Sequence, residues 1–224
     1  MDVVISLGGS LIAPDHIDTV FLKKFERVII KHVENGKRFV IICGGGKTCR
    51  NYQNAAAKVT DLLRDDLDWI GIHSTRLNAH LLRTIFKEHA HPNVAKDPTK
   101  NRKIKANILI AAGWKPGWST DYCAVMLAKK YGIKTLFNLS NIDYVFDKDP
   151  AKHVAAKPIE RISWHDFRKL VGDKWHPGLN APFDPIASKE AQKQRMEVVI
   201  IGGRDLANLD NALSNRSFKG TVIK

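Results

Sequence analysis

The stretch Ile108-Leu-Ile-Ala-Ala-Gly-Trp-Lys-Pro-Gly-Trp-Ser-Thr-Asp121 carries an apolar run into a polar turn, and an apolar helical pattern follows at residues 122–131. A second apolar run, at residues 135–139, leads into the polar segments 140–143 and 147–150. Strand, turn, helix, strand and turn in this order predict a βαβ unit. Because ligands of open parallel sheets bind beyond the carboxyl ends of the strands, we expect half of an active site within residues 108–150.

The chain on either side of this unit alternates between the same two patterns. Short apolar runs predict strands at residues 3–7, 38–43 and 197–201, and helical spacing of apolar residues is found at 17–33, about 48–59, about 69–89, 163–171 and 184–194. Ser163 and Asp184 are the predicted N-caps of the last two helices, and residues 174–182 predict a mobile loop. This alternation predicts an α/β fold, a mostly parallel central sheet covered by helices on both faces, in a single domain of residues 1–224.

Length and composition are those of a globular domain of ordinary size. The 224 residues are 44% hydrophobic, which allows a sizeable core without disulfides or metal. No apolar run approaches the ~20 residues of a membrane helix, and the N-terminus passes directly into a strand pattern, so we expect no membrane segment and no signal peptide. The cysteines Cys43, Cys49 and Cys123 lack CxxC spacing, which favours a reducing cytoplasm and argues against structural zinc.

The net charge of +13 favours an anionic ligand: a nucleotide, a phosphorylated metabolite or nucleic acid. The basic residues are dispersed apart from a patch at residues 96–105, and no aromatic-basic alternation indicates a single-strand platform. A nucleic-acid partner is therefore not favoured, since the apolar α/β pattern explains more of the chain.

Glycines follow four of the five main predicted strands. Gly8-Gly9-Ser10 and Gly44-Gly45-Gly46-Lys47 each precede a helix, where glycine lets the backbone amides approach a phosphate group. Neither segment matches GxxxxGK[ST] or GxGxxG, which excludes a P-loop and a dinucleotide-binding Rossmann domain. Tight βα turns also require glycine, but two such segments favour two phosphate-binding loops.

Taken together, these motifs resemble the amino acid kinase family, and within it the uridylate (UMP) kinases of archaeal type. The resemblance covers nearly the whole chain and depends on the order and spacing of short motifs. These motifs are Ile5-Ser-Leu-Gly-Gly-Ser10, Gly44-Gly-Gly-Lys-Thr-Cys-Arg50, Asp68-Trp-Ile-Gly-Ile72, Thr75-Arg-Leu-Asn-Ala79, Pro116-Gly-Trp-Ser-Thr-Asp121, Ser140-Asn-Ile-Asp143, Asp147-Lys-Asp-Pro150, Asp184-Pro-Ile-Ala-Ser-Lys189 and Gly220-Thr-Val-Ile223.

The resemblance implies a reaction, a division of the domain and an assembly. The reaction is phosphoryl transfer from ATP to UMP, giving ADP and UDP, with Mg²⁺ bridging the donor phosphates. Residues 1–133, approximately, would bind the acceptor and residues 134–224 the donor nucleotide. The assembly would be a homo-oligomer, specifically a hexamer.

Acceptor-binding roles carry over onto five positions. Gly44, Gly45 and Arg50 would hold the phosphate of UMP, with Arg50 suited to a bidentate grip. Asp68 would accept hydrogen bonds from the ribose hydroxyls, and Thr120 would contact the phosphate region. The alternative interpretation of Arg50 is a solvated arginine on a helix, and that of Asp68 is an N-cap of the long helix.

Catalytic roles carry over onto Asp121 and Lys189. Asp121 would orient the charged groups around the transferring phosphoryl group, and Lys189 would neutralise its charge. The alternative for Asp121 is an aspartate in a first helical turn that faces the helix dipole, and for Lys189 an ordinary surface lysine. No general base is expected, because the phosphate of UMP is already ionised at neutral pH and phosphoryl transfer needs mainly positioning and positive charge.

The donor nucleotide would be bordered by two groups of residues. The glycine loop Gly8-Gly9-Ser10 would hold the phosphates, and a second group would surround the remainder of ATP: Asn141, Asp143, Phe146, Asp149 and Pro150. Phe146 replaces a usual tyrosine. Asp149 and Pro150 are also common turn residues, so this dipeptide is explained equally well by a turn without a ligand.

Some positions depart from the family pattern. Ser6 stands where many relatives carry lysine, Tyr144 where glycine is usual, and Trp114 and Trp118 where smaller or polar residues are common. The two tryptophans leave open a kinase of the same fold that acts on another small phosphate or carboxylate. Tyr144 and the missing lysine leave open a non-catalytic nucleotide sensor or storage protein.

Overall fold

Strands and helices alternate along the residues that this computed structural model describes, which are 1–100, 103–150, 152–172 and 181–224. The strands are β1 (Val3–Leu7), β2 (Phe39–Cys43), β3 (Ile108–Ala111), β4 (Thr135–Ser140), β5 (Val145–Phe146), β6 (Pro158–Ile159), β7 (Arg161–Ile162), β8 (Glu197–Gly202) and β9 (Thr221–Ile223). The helices are α1 (Gly9–Ile12), α2 (Thr19–Glu34), α3 (Gly46–Ala57), α4 (Arg64–Ile85), α5 (Thr120–Tyr131), α6 (Trp164–Val171), α7 (Pro185–Lys193) and α8 (Leu206–Leu213).

One sheet forms the centre of the molecule, with the strand order β3-β2-β1-β4-β8-β9-β7. The first five strands in this order are parallel, whereas β9 pairs antiparallel with β8 and β7 pairs parallel with β9. β5 and β6 form a separate antiparallel ribbon. The prediction of a mostly parallel α/β sheet is confirmed. The reversed direction of β9 was not predicted, because an apolar run carries no information on strand direction.

The sheet is covered on both faces, which explains why its central strands are apolar at nearly every position, with Ser6 on β1 and Asn138 on β4 as buried polar exceptions. On β1, Val3, Ile5 and Leu7 face one core, to which α2, α4 and α8 contribute. Val4 faces the other core, which is formed with α5, α6 and α7. Strands that are buried on both faces read as continuous hydrophobic runs, which is the pattern seen in the sequence.

The two predicted N-caps, Ser163 and Asp184, are confirmed. The Ser163 side chain accepts a hydrogen bond from the amide of Asp166, and the Asp184 side chain accepts one from the amide of Ala187. The predicted start of the long helix is wrong: α4 begins at Arg64, so Asp68 lies inside the helix and is not its N-cap. Most of the predicted loop at residues 174–182 lies outside the described residues.

Candidate active site

The carboxyl ends of the parallel strands place the predicted motifs along one edge of the sheet. Gly8 follows β1, Gly44 follows β2 and Gly113 follows β3 closely, while Asn141 follows β4. In β8 the same edge ends with Gly202. The active-site edge, as these strand ends are called below, is therefore the position at which ligands bind in open parallel sheets.

The two glycine loops are in direct backbone contact with each other. A Cβ atom on Gly9 would lie 2.1 Å from the backbone nitrogen of Gly46, and one on Gly44 would lie 2.5 Å from the nitrogen of Gly9. Gly46 also has a φ of +67°, in the left-handed region that favours glycine. The predicted donor and acceptor loops therefore form one interlocked unit, which places any two phosphate groups that they bind side by side.

Asn78 fixes the second glycine loop from α4. Its Nδ2 donates hydrogen bonds to the carbonyl oxygens of Gly44 (2.7 Å) and Gly45 (3.3 Å). Asn78 is buried, so this amide group positions the loop and does not face solvent. The sequence reading gave Asn78 no role, although a polar residue within the apolar spacing of a helix is a usable signal.

The predicted acceptor residues Arg50, Asp68 and Thr120 lie on three different helices. Arg50 is exposed in the second turn of α3, and Thr120 is the first residue of α5. Asp68 is half-buried on α4, and its Oδ2 accepts a hydrogen bond of 2.7 Å from the amide of Gly117, in the turn before α5. Asp68 is thereby joined to the turn that carries Thr120. Among the described residues, no hydrogen bond joins Arg50 to either of them.

Two further contacts fasten the turn between β3 and α5 to α4. The hydroxyl of Thr75 accepts a hydrogen bond of 2.8 Å from the amide of Gly113, and Nη2 of Arg76 donates one of 2.9 Å to the carbonyl of Trp114.

The tryptophans that depart from the family pattern pack against each other. The ring centroids of Trp114 and Trp118 are 4.6 Å apart in an edge-to-face arrangement.

Asp121 accepts hydrogen bonds from two elements that are distant in sequence. The hydroxyl of Ser6 donates to Oδ1 (3.1 Å), and the amide of Asp184 donates to Oδ2 (3.3 Å). Burial raises the pKa of Asp121 to about 7, and the Asp184 carboxylate adds to the rise, while the two hydrogen bonds oppose it. Asp121 is in the first turn of α5, as the dipole interpretation requires, but its partners lie on β1 and at the start of α7.

Asp184 is the residue of this site that sequence reasoning placed only as a cap. Its Oδ1 accepts a hydrogen bond of 2.6 Å from the amide of Ala187, and the Ser119 hydroxyl is a further partner of the carboxyl group. Burial raises the pKa of Asp184. Asp184 therefore ties the N-terminus of α5 to that of α7 and brings a second carboxylate beside Asp121.

The structure does not bring Lys189 into this cluster. Lys189 lies in the second turn of α7 with an exposed side chain. Within the described parts of the chain, no hydrogen bond or ion pair joins it to Asp121 or to either glycine loop. Its catalytic role stays a prediction.

The predicted donor residues follow β4 in the chain, and Asp143 among them reaches the active-site edge. Asp143 packs on β8, since a Cβ on Gly202 would lie 1.9 Å from its Oδ1. Phe146 is half-buried in β5, and a turn follows in which Asp149 and Pro150 are exposed. Ser10, from the first glycine loop, lies in the short helix α1, and Asn141 is exposed directly after β4.

Tyr144 does not occupy a backbone conformation that requires glycine. In the described chain, the non-glycine residues with positive φ are Arg195 and Asn215. The departure at Tyr144 is therefore accommodated without backbone strain, and its ring is half-buried.

The described residues contain no group of three or more His, Cys, Asp or Glu side chains arranged to hold a metal ion. None of their helices is both long and apolar enough to cross a membrane.

Comparisons with known proteins agree with this geometry. The model of the amino acid kinase family matches residues 1–202. The uridylate kinase of Methanocorpusculum labreanum is 33% identical over 99% of this chain and 94% of its own length, and that of Thermococcus sibiricus is 33% identical over the full length of both.

Solved structures extend the comparison to three dimensions. The crystal structure of uridylate kinase from Archaeoglobus fulgidus superimposes with a TM-score of 0.86 at 28% identity, covering 100% of both chains. The UMP kinase from Bacillus anthracis superimposes with a TM-score of 0.79 at 19% identity, covering 100% of this chain and 95% of that one, and it supports the fold alone.

Proposed function

This chain belongs to the amino acid kinase family, and from this membership we propose that it transfers the terminal phosphoryl group of ATP to UMP, giving ADP and UDP. The observation that carries the proposal is the contact between the two glycine loops, because Gly9 and Gly46 meet backbone to backbone. Phosphoryl transfer needs the donor and acceptor phosphates held side by side and in line. The relatives named uridylate kinase, which match over nearly their full length, support UMP as the acceptor.

The acceptor would bind between α3, α4 and the turn before α5. The amides of Gly44 and Gly45 and the guanidinium of Arg50 would hold its phosphate, with Thr120 beside them. Asp68 already accepts one hydrogen bond from Gly117 through Oδ2. The Oδ1 atom of the same carboxylate then remains for the ribose hydroxyls. Residues up to about 133 form this part of the domain.

The donor would bind on the C-terminal part of the domain, from about residue 134 onward, and reach across to the first glycine loop. Gly8, Gly9 and Ser10 would hold its phosphates at the start of α1. The nucleotide would lie against the segment between β4 and the turn after β5, where the proposed contacts are Asn141, Asp143, Phe146, Asp149 and Pro150. Tyr144, in the middle of this segment, has no strained backbone that would exclude a nucleotide.

The chemistry assigned to the protein is positioning and charge compensation. Asp121, held from two sides by Ser6 and Asp184, would orient the charged groups around the transferring phosphoryl group, and Lys189 would offset its charge. Mg²⁺ is commonly bound by one or two carboxylates together with substrate phosphates, and the Asp121–Asp184 pair offers such oxygen ligands. When bound, Mg²⁺ supplies charge neutralisation across the donor phosphates.

ADP release tests this assignment most directly. Mg²⁺-ATP is supplied with UMP, CMP, AMP or no acceptor, and the nucleotide product is identified. We expect UMP to support the fastest release, with UDP as the product. If UMP supports no faster release than AMP or no acceptor, the assignment is wrong.

The proposal also includes a cytoplasmic location and an oligomeric state. Three free cysteines, two of them buried, are compatible with a reducing cytoplasm. The family resemblance suggests a homo-oligomer, specifically a hexamer. Light scattering of the purified chain tests the assembly, and a monomer at micromolar concentration would contradict it.

A further inference from the structure

One side of α4 carries three buried polar side chains. Ser74, Thr75 and Asn78 are 7%, 5% and 2% exposed. The hydroxyl groups of Ser74 and Thr75 donate hydrogen bonds to carbonyl oxygens of α4 itself, those of Ile70 and Ile72. The amide group of Asn78 instead donates outside its helix, to the second glycine loop. Since a buried polar group is costly unless it is hydrogen-bonded, Asn78 and the conformation of this loop depend on each other.

The hydrogen bonds of Asn78 orient two peptide groups of the loop. Its Nδ2 is 2.7 Å from the carbonyl oxygen of Gly44 and 3.3 Å from that of Gly45. None of the described peptide bonds is cis, and the N–H of a planar trans peptide group points opposite to its C=O. Because the carbonyls of Gly44 and Gly45 are turned toward Asn78, the amides of Gly45 and Gly46 are turned away from it.

These two amides are available to a ligand. Among the described residues, neither the Gly45 nor the Gly46 N–H has a hydrogen-bond acceptor. Both glycines are half-buried, with Gly45 as the N-cap of α3 and Gly46 as its first residue. The first turn of α3 contains no acidic side chain that could occupy the amides. Such amides at a helix N-terminus attract an anion, which here is the proposed acceptor phosphate.

The ribose end of the proposed acceptor site is held by other residues of α4. The Thr75 hydroxyl accepts a hydrogen bond from the amide of Gly113, and Oδ2 of Asp68 accepts one from the amide of Gly117. Neither contact involves Asn78. Loss of the Asn78 amide group should therefore disturb the phosphate end of the site and leave the ribose end in place.

We infer that Asn78 is a positioning residue for the acceptor phosphate, which it does not itself touch. By holding the carbonyls of Gly44 and Gly45, it keeps the amides of Gly45 and Gly46 directed at the phosphate. Without this side chain the two peptide groups can rotate, since glycine permits many backbone conformations. The inference depends on the proposed function, because it takes UMP as the ligand of this loop.

Calorimetric titration with UMP, and with UMP in the presence of uridine, tests this role. Uridine lacks the phosphate but keeps the ribose and the base. Asn78→Ala and Asn78→Leu both remove the amide donor, and leucine retains most of the side-chain volume. We expect both variants to weaken UMP binding at least about tenfold and to change uridine binding less than about threefold, since amide contacts to a charged phosphate are lost.

Asn208→Ala and Asn208→Leu are the matched controls. Asn208 is also a buried asparagine in a helix, and its Nδ2 donates a hydrogen bond of 2.7 Å to the carbonyl of Lys219. Its Oδ1 accepts one from the amide of the same residue. These bonds hold the segment before β9 and not a glycine loop. The control variants should lose stability in urea titrations but bind UMP and uridine as the wild type does.

Three results would overturn the inference. The first is UMP binding by both Asn78 variants equal to that of the wild type. The second is an equal loss of UMP and uridine binding, because Asn78 would then support the whole site. The third is normal UMP binding by Asn78→Leu alone, because side-chain volume would then matter and the donor would not. Failure of the proposed kinase function would appear differently, as absent ADP release in the wild type, in which Asn78 is present.

Discussion

The hydroxyl of Ser6 donates a hydrogen bond of 3.1 Å to Oδ1 of Asp121, which joins the middle of β1 to the first turn of α5. Ser6 is buried, so this hydrogen bond lies inside the protein. Burial raises the pKa of Asp121 to about 7 and the Asp184 carboxylate adds to the rise, whereas the hydrogen bond from Ser6 opposes it.

Ser6→Ala should shift the acid limb of the pH profile of kcat to higher pH. The hydroxyl stabilises the ionised carboxylate, so its loss raises the pKa of Asp121 further. If the ionised form is the active one, turnover at pH 6 should fall more than turnover at pH 8. The phosphate of UMP also titrates, near ~6, but equally in both proteins. Ser214→Ala is the control, and a limb that does not move would remove Asp121 as the titrating group.

Lys189→Ala should lower kcat roughly 10²–10³-fold with little change in the KM for UMP, if Lys189 acts on charge that develops in the transition state. Because the Lys189 side chain is exposed in the structure, its catalytic role needs an experimental test more than the other predicted roles do. Lys193→Ala removes another exposed lysine one turn later on α7 and should have no effect. Equal turnover of the two variants would mean that Lys189 is an ordinary surface lysine with no catalytic role.

The parts of this site that depend on neighbouring residues in sequence could be predicted. The parts that depend on contacts between residues distant in sequence could not. Asp184 was predicted as a cap because a cap is defined by its next three residues. Its contact with Asp121 joins residues 63 positions apart and is set by where β1, α5 and α7 meet. The glycine loops were likewise predicted one by one, whereas the contact between Gly9 and Gly46 follows from the parallel pairing of β1 with β2.

Arg50→Ala should raise the KM for UMP roughly 10–100-fold and leave kcat nearly unchanged. A grip on the acceptor phosphate acts equally in the ground and transition states, and a hydrogen bond to a charged group is worth ~1.5–3 kcal/mol. Arg50→Lys should fall between wild type and alanine, because lysine keeps the charge but loses the bidentate geometry. Lys58→Ala, at the end of the same helix, is the control.

A large loss of kcat in Arg50→Ala with an intact KM would contradict this role. Arg50 would then act on the transferring phosphoryl group.

His32 should make the fold less stable as the pH falls. Burial lowers the pKa of His32 below its ordinary value of 6.5, although the Asp210 carboxylate, 2.8 Å from Nε2, opposes the shift. Lys31 and Lys37 also lower it. Between the folded-state pKa and ~6.5 the unfolded chain binds a proton at His32 that the folded chain does not, so the contribution of His32 to the free energy of unfolding decreases as pH decreases. Asp121, whose pKa is raised to about 7, contributes in the opposite direction, so the His32 contribution is isolated by comparing a variant with the wild type.

Urea titrations at pH 7.5 and 5.5 measure this dependence, with His32→Gln as the test variant. The substitution should destabilise the protein at pH 7.5, because the hydrogen bond between His32 and Asp210 is lost, and should destabilise it less at pH 5.5. An unchanged difference between the two pH values would mean that another group is responsible.

Gly46→Ala should impair the binding of both substrates, whereas Gly132→Ala should not. The two glycines have nearly the same φ, +67° and +68°, so the conformational cost of a Cβ at this φ, about 1–2 kcal/mol, is common to both. The surroundings differ: a Cβ on Gly132 meets nothing within 4 Å, whereas one on Gly46 would lie 2.2 Å from the carbonyl oxygen of Gly9. Alanine at residue 46 must therefore push the two loops apart. We expect Gly46→Ala to raise the KM for both ATP and UMP and to lower kcat, since the phosphates are no longer held in line, while Gly132→Ala loses only stability. If Gly46→Ala changes the KM for UMP alone, the loops are not one unit.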